Sequence, residues 1–121
     1  MKKLINSFSF AIKGMRYAFA TQQNFRIHVV VAILAVAMGY FLHLNTDEWQ
    51  WVMLCIMLVL VAELLNTAIE ALTDLVSPGY NKLAGHVKDI GAAAVLIVAF
   101  FALVTGIIIF VPKLLLLLHA A

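Results

Sequence analysis

Charge is the scarcest commodity in this sequence. Eight Lys and Arg and six Asp and Glu make 12% of 121 residues, while 65% are hydrophobic. Soluble domains carry about 25% charged residues, and a chain this short has too little interior to hide such an apolar excess. The surplus must face lipid, which excludes a soluble globular domain and a disordered chain and leaves one membrane unit, residues 1–121. Cysteine is nearly absent: Cys55, alone in an apolar run, has no intrachain disulfide partner and reads as a small apolar-facing side chain. A net charge of +2, with its basic residues near membrane ends, is too small to point to nucleic acid. No Gly-rich run matches a P-loop, and no protein-kinase motif set is present, so any nucleotide site must be built differently. Polar residues recur from Asn6 to Asn24, which rules against a cleaved secretory signal.

What is present is three apolar stretches, about 25–44, 49–75 and 90–111, each near the ~20 residues a helix needs to cross a bilayer. Basic residues alternate across them. Lys2, Lys3, Lys13, Arg16 and Arg26 precede or open the first span, and none lies between the first and second. Lys82 and Lys88 lie between the second and third, and only Lys113 lies beyond. The positive-inside rule therefore places the N-terminus and the second loop in the cytoplasm, with Trp49 and Trp51 at the outer interface. Before the first span, Leu4, Phe8, Ala11, Ile12, Met15 and Phe19 recur at helical spacing opposite Asn6, Ser9, Lys13 and Arg16. This pattern predicts an amphipathic helix over 1–24 that lies on the membrane surface or packs on the bundle. The fold expectation is an all-α membrane protein with one surface helix and three transmembrane helices.

The second span carries the informative residues. At about 100° per residue, Asn66, Glu70 and Asp74 fall near −60°, −20° and +20° from Glu63, and Thr67 near +40°. Five polar side chains thus share one stripe. Counting ~1.5 Å per residue from Trp49, Glu63 lies ~21 Å in, Glu70 ~31 Å and Asp74 ~37 Å. Glu63 is then inside a hydrocarbon core ~30 Å thick, Glu70 at its edge and Asp74 outside it. A carboxylate at the depth of Glu63 costs about 2.5–3.5 kcal/mol on insertion scales and needs a partner or a task. A polar clamp between helices through Asn66 and Glu63 is one such use. Another is chemistry: a carboxylate at an aqueous boundary suits Mg²⁺ arriving with nucleotide phosphates, and a deeper one suits proton transfer from a membrane alcohol. A proton or cation pathway would also use such a face.

Ser77-Pro78-Gly79 ends the second helix, since Pro cannot continue it and Gly permits a turn. Lys88 and Asp89 then precede Gly91, Ala92, Ala93 and Ala94. A lysine at this level can meet a phosphate as a point charge or serve as a positive-inside anchor, and the small residues allow close helix packing. The histidines His28, His43, His86 and His119 show no spacing that pairs them as metal ligands.

The segment from Glu63 to Asp74 (ELLNTAIEALTD), followed by KDIGAAA from Lys88, resembles the prokaryotic diacylglycerol kinases. So do KGMR from Lys13 and NFRIH from Asn24, which lean toward the undecaprenol kinase branch. The resemblance covers nearly the whole chain. It implies a homotrimer in the bacterial inner membrane that transfers the γ-phosphate of ATP, with Mg²⁺, to a lipid hydroxyl, converting diacylglycerol to phosphatidic acid. It further implies Glu63 as proton acceptor with Asn66 in support, and Glu70 as metal ligand and ATP contact. Lys88, Asp89 and Tyr80, with Asn81 and Phe10, would contact ATP. Arg16, Asn24, Phe25, Arg26, Glu63 and Ala92 would line the lipid substrate. Three positions depart from the family pattern. Gln22 stands where the family has a metal-binding Glu, Phe10 where it has a Tyr, and Asn81 where some members have His. An amide oxygen can coordinate Mg²⁺ but brings no charge. An undecaprenol kinase, and a member that binds nucleotide or lipid without turnover, are the alternatives these features leave open.

Overall fold

Four helices and no strand make up the computed structural model, which describes residues Met1 to Ala121: α1 (Lys2–Thr21), α2 (Gln23–Phe41), α3 (Thr46–Val76) and α4 (Lys82–Ala120). The last three are long and apolar enough to cross a membrane. An all-helical chain with one helix ahead of three of spanning length is therefore as the sequence predicts. α3 is the hub. It packs along α4 as an antiparallel hairpin and less extensively on α2, while α1 touches both α2 and α3.

The joints explain the layout. One residue, Gln22, separates α1 from α2; its extended backbone (φ −116°, ψ 108°) breaks the helix without Pro or Gly. The Arg26 guanidinium then reaches back, Nη1 donating to the Phe19 carbonyl at 2.7 Å and the Ala20 carbonyl at 3.2 Å. Those carbonyls would otherwise lack donors, and a cation at a helix C-terminus is favoured by the helix dipole. At the other end of α2, His43 adopts a left-handed backbone (φ 55°) and turns the chain toward α3. Asn45 and Glu48 form a reciprocal capping box on α3, with Glu48 N–H donating to Asn45 Oδ1 at 2.9 Å and Asn45 N–H to Glu48 Oε1 at 3.0 Å. Lys113, from the far end of α4, lies 3.1 Å from the same Glu48 oxygen.

Beside this clamp, Leu44, Val52 and Ile109 are buried with Trp49, Ile56 and Phe110 against them. Gly39 lies under Trp49 so closely that a Cβ there would fall 2.9 Å from both the indole and Leu44. Elsewhere the chain has little interior: only 12 of 121 residues are buried. α2 and α4 stand on either side of α3, leaving a groove of about 600 Å³ between them. Its walls are apolar from Leu114 and Met38 at one end to His28 at the other.

Three details differ from the sequence expectation. α2 begins at Gln23 and ends at Phe41, so Leu44 belongs to the turn rather than to the first span. The turn after α3 uses Pro78, not a left-handed glycine, because no glycine has positive φ. Ser77 before it has left the helical region (φ −135°, ψ 79°), in line with the clash that disfavours helix before a proline. α4 also does not stop near Val111. It runs through Pro112 to Ala120, although proline has no N–H to donate to the helix ladder.

Candidate active site

The polar stripe of α3 survives folding as a gradient of burial. Glu63 is 3% exposed and Thr67 is buried, Asn66 and Glu70 are half-buried, and Asp74 is exposed. This follows the depth order read from helix geometry. α4 covers one flank of the stripe, because Gly91 has no side chain. A Cβ at Gly91 would collide with Asn66 Oδ1. Small residues allow backbones to approach in this way.

The pairings within the stripe are specific. Asn66 Nδ2 donates to Glu70 Oε1 at 3.2 Å, while its Oδ1, buried against α4, accepts nothing. Asn66 therefore holds Glu70, one turn away on its own helix, and not Glu63. The Thr67 hydroxyl donates to the Glu63 backbone carbonyl at 2.8 Å and so is satisfied locally. Glu63 itself meets His28 of α2, whose Nε2 lies 3.3 Å from Glu63 Oε1. At the loop end, Lys88 Nζ donates to Asp74 Oδ1 at 2.6 Å, so the one cation at the mouth of the stripe is held beside its carboxylates.

The other predicted site residues scatter around this centre. Asp89 and Tyr80 are exposed at the α3–α4 turn, and Asn81 caps α4, its Oδ1 accepting from the Ala84 N–H at 3.0 Å. Phe10 is exposed on α1 with Lys13 Nζ 5.6 Å from its ring centre. Arg16 and Asn24 are exposed, Phe25 is buried, and Ala92 faces outward from α4. Arg26 is engaged with the end of α1. Gln22, at the α1–α2 break, is half-buried.

Two side-chain pairings are not singled out by the sequence pattern. His28 reads there only as a residue near the inner interface, yet it supplies Glu63's one side-chain partner. A lone imidazole inside an apolar span, one helix before a buried carboxylate, is the signal the sequence offers. Asp74 as the partner of Lys88 is the other, and it follows from the register of a hairpin whose turn is centred near Tyr80.

Fold and site together define a multi-pass, all-helical membrane protein whose buried and boundary carboxylates lie on one helix face with a lysine at its mouth. The sequence profile of the prokaryotic diacylglycerol kinases matches residues 9–110. The chain is 42% identical over 113 residues to a diacylglycerol kinase of Synechocystis sp., covering 93% of this chain and 65%, just under two thirds, of that protein. It is 34% identical to an undecaprenol kinase of Bacillus subtilis, over 94% of this chain and 93% of that one. To a diacylglycerol kinase of Escherichia coli it is 35% identical, over 88% of each. The chain belongs to the prokaryotic diacylglycerol kinase family.

Proposed function

We propose that this protein is an ATP- and Mg²⁺-dependent lipid kinase that phosphorylates the hydroxyl of diacylglycerol to give phosphatidic acid. The observation that carries the reading is the burial gradient on α3. Glu63 is 3% exposed, while Glu70, about two turns nearer the loop and on the same face, is half-buried next to the Lys88 end. In this reading the lipid hydroxyl is presented at the depth of Glu63. The carboxylate takes the hydroxyl proton as the oxygen attacks the γ-phosphorus, the bond from that phosphorus to the β–γ bridging oxygen breaks, and ADP leaves. Lys88, beside Asp74, balances phosphate charge at the mouth.

The donor set fits Mg²⁺ delivered with the nucleotide. No three His, Cys, Asp or Glu side chains gather as a cage, and Mg²⁺ characteristically takes one or two protein oxygens with phosphates and waters. Glu70 and Gln22 would hold it, and when bound it supplies charge neutralisation for the transferring phosphoryl group. The N-terminus and the α3–α4 turn face the cytoplasm in this proposal, following the basic residues around them. Three copies assemble in the membrane. A chain with 12 buried residues leaves the flanks of its stripe to be closed by neighbours, and ionisable groups in a span face a protein interior.

The test is transfer of radiolabelled phosphate from ATP to diacylglycerol in mixed micelles. Glu63→Gln should lower turnover by about 10²–10⁴-fold, the range of a lost general base. Turnover equal to wild type in that variant would remove the assignment. Gln22→Glu should tighten Mg²⁺ dependence and raise the rate. If the wild-type chain and the Gln22→Glu variant both bind ATP and neither turns over, the protein is a binding member of the family. A second acceptor, undecaprenol, is favoured by one observation: the similarity to the Bacillus subtilis undecaprenol kinase spans 93% of that protein. Assaying both alcohols side by side decides between them.

A further inference from the structure

Glu63 has one side-chain partner, and it comes from a different helix. His28 Nε2, on α2, lies 3.3 Å from Glu63 Oε1; the imidazole is 25% exposed and the carboxylate 3%. No other cation comes within ion-pair distance of Glu63, since Lys88 is taken by Asp74 and Lys113 by Glu48. Asn66, nearest in sequence, is turned to Glu70. Oε1 is thus the carboxylate oxygen that the imidazole approaches. The imidazole also lines the end of the apolar groove between α2 and α4, so His28 stands between that groove and the buried Glu63 carboxylate.

Position matters more than proximity for a carboxylate that must take a proton. A glutamate has three rotatable side-chain bonds, and an acceptor works only within about 2.6–3.2 Å of the proton's heavy atom. A misplacement of about 1 Å costs on the order of 100-fold in rate. α2 is well suited to hold the carboxylate. Two residues before His28, Arg26 is locked onto the last carbonyls of α1, so the first turns of α2 are fixed relative to the surface helix.

We propose that His28 is the positioning residue for Glu63: its Nε2–H fixes the carboxylate through Oε1, leaving Oε2 to accept the proton of the lipid hydroxyl. This rests on Glu63 being the proton acceptor. His28 touches neither nucleotide nor metal in this scheme and acts through Glu63.

The experiment compares His28→Gln with His28→Met in the full chain, assayed with ATP, Mg²⁺ and diacylglycerol or undecaprenol, whichever supports Glu63-dependent turnover. The two replacements have the same length, and only Gln offers an N–H near the position of Nε2. His28→Met should lose about 10- to 100-fold in kcat, in line with a displaced acceptor, with KM for ATP and lipid unchanged. His28→Gln should recover most of that loss. Equal kcat in the Gln and Met variants, or a loss confined to KM, overturns the proposal. In the unmodified fold, ¹⁵N-labelled histidine should show a His28 Nε2 resonance that moves in Glu63→Gln; an unmoved resonance also overturns it. Full turnover by Glu63→Gln would instead remove the proton-acceptor assignment. A dead Glu63→Gln beside an unimpaired His28→Met removes only the positioning role.

Discussion

Gly91 and Gly85 sit less than two turns apart on α4, and the structure gives them opposite fates on substitution. A Cβ at Gly91 runs into Asn66 Oδ1, whereas one at Gly85 meets nothing within 4 Å. Gly91→Ala should destabilise the protein by about 1–3 kcal/mol, the usual range for overpacking, by pushing α4 off the polar stripe. It should also disturb the Asn66 amide that holds Glu70, and so reduce turnover. Gly85→Ala should be neutral or stabilise by up to about 1 kcal/mol, through helix propensity alone. Thermal unfolding of the two purified variants in one detergent checks the contrast, and equal melting temperatures would refute it. Close packing at Gly91 is legible in the sequence from the small residues around it. Which residue it packs against is not, because a helical pattern shows which side chains share a face and leaves open what lies across from them.

At the level of helices, the α3 N-terminus is the most completely tied joint. Asn45 caps it, Glu48 returns the cap, and Lys113 joins the same oxygen from α4. Asn45→Ala should cost about 1 kcal/mol, the typical loss for an N-cap. Amide hydrogen exchange should rise in the first turn of α3 and leave the Glu63 turn unchanged; protection lost evenly along α3 would contradict this. The three spans and the stripe are readable because each depends on one helix alone, through ~20 apolar residues or the 100° step. The ends are less so. The break at Gln22 carries no Pro or Gly, and its physical cause lies four residues on, in the Arg26 guanidinium that caps α1. Pro112 reads like a terminus, yet the helix continues through it, because in a bilayer the backbone on either side has no water to turn to if the ladder ends. His28 and Asp74 belong to pairs made between helices, and those exist only once α2 and α4 have chosen their faces of α3.

For the molecule as a whole, the lengths of its spans are unequal. α2 has 19 residues, about 28 Å of helix, which matches a hydrocarbon core of ~30 Å. α4 has 39, about 58 Å, and its leucine run from Leu114 to Leu118 continues beyond Lys113, which is tied to the head of α3. Neither helix can suit every membrane at once. A thin bilayer satisfies α2 and strands the leucines of α4, whereas a thick one covers the leucines and stretches past α2. The two helices form opposite walls of one groove, with His28 at its end and Glu63 beside that imidazole. Membrane thickness should therefore change the angle between those walls, through tilting of the longer helix. Turnover should pass through a maximum as phosphatidylcholine acyl chains are lengthened, and deletion of residues 114–121 should move that maximum toward shorter chains. Rates independent of chain length in reconstituted bilayers would show that the walls are rigid. Otherwise the protein is tuned to the thickness of its host bilayer, and it would work less well when sorted into another.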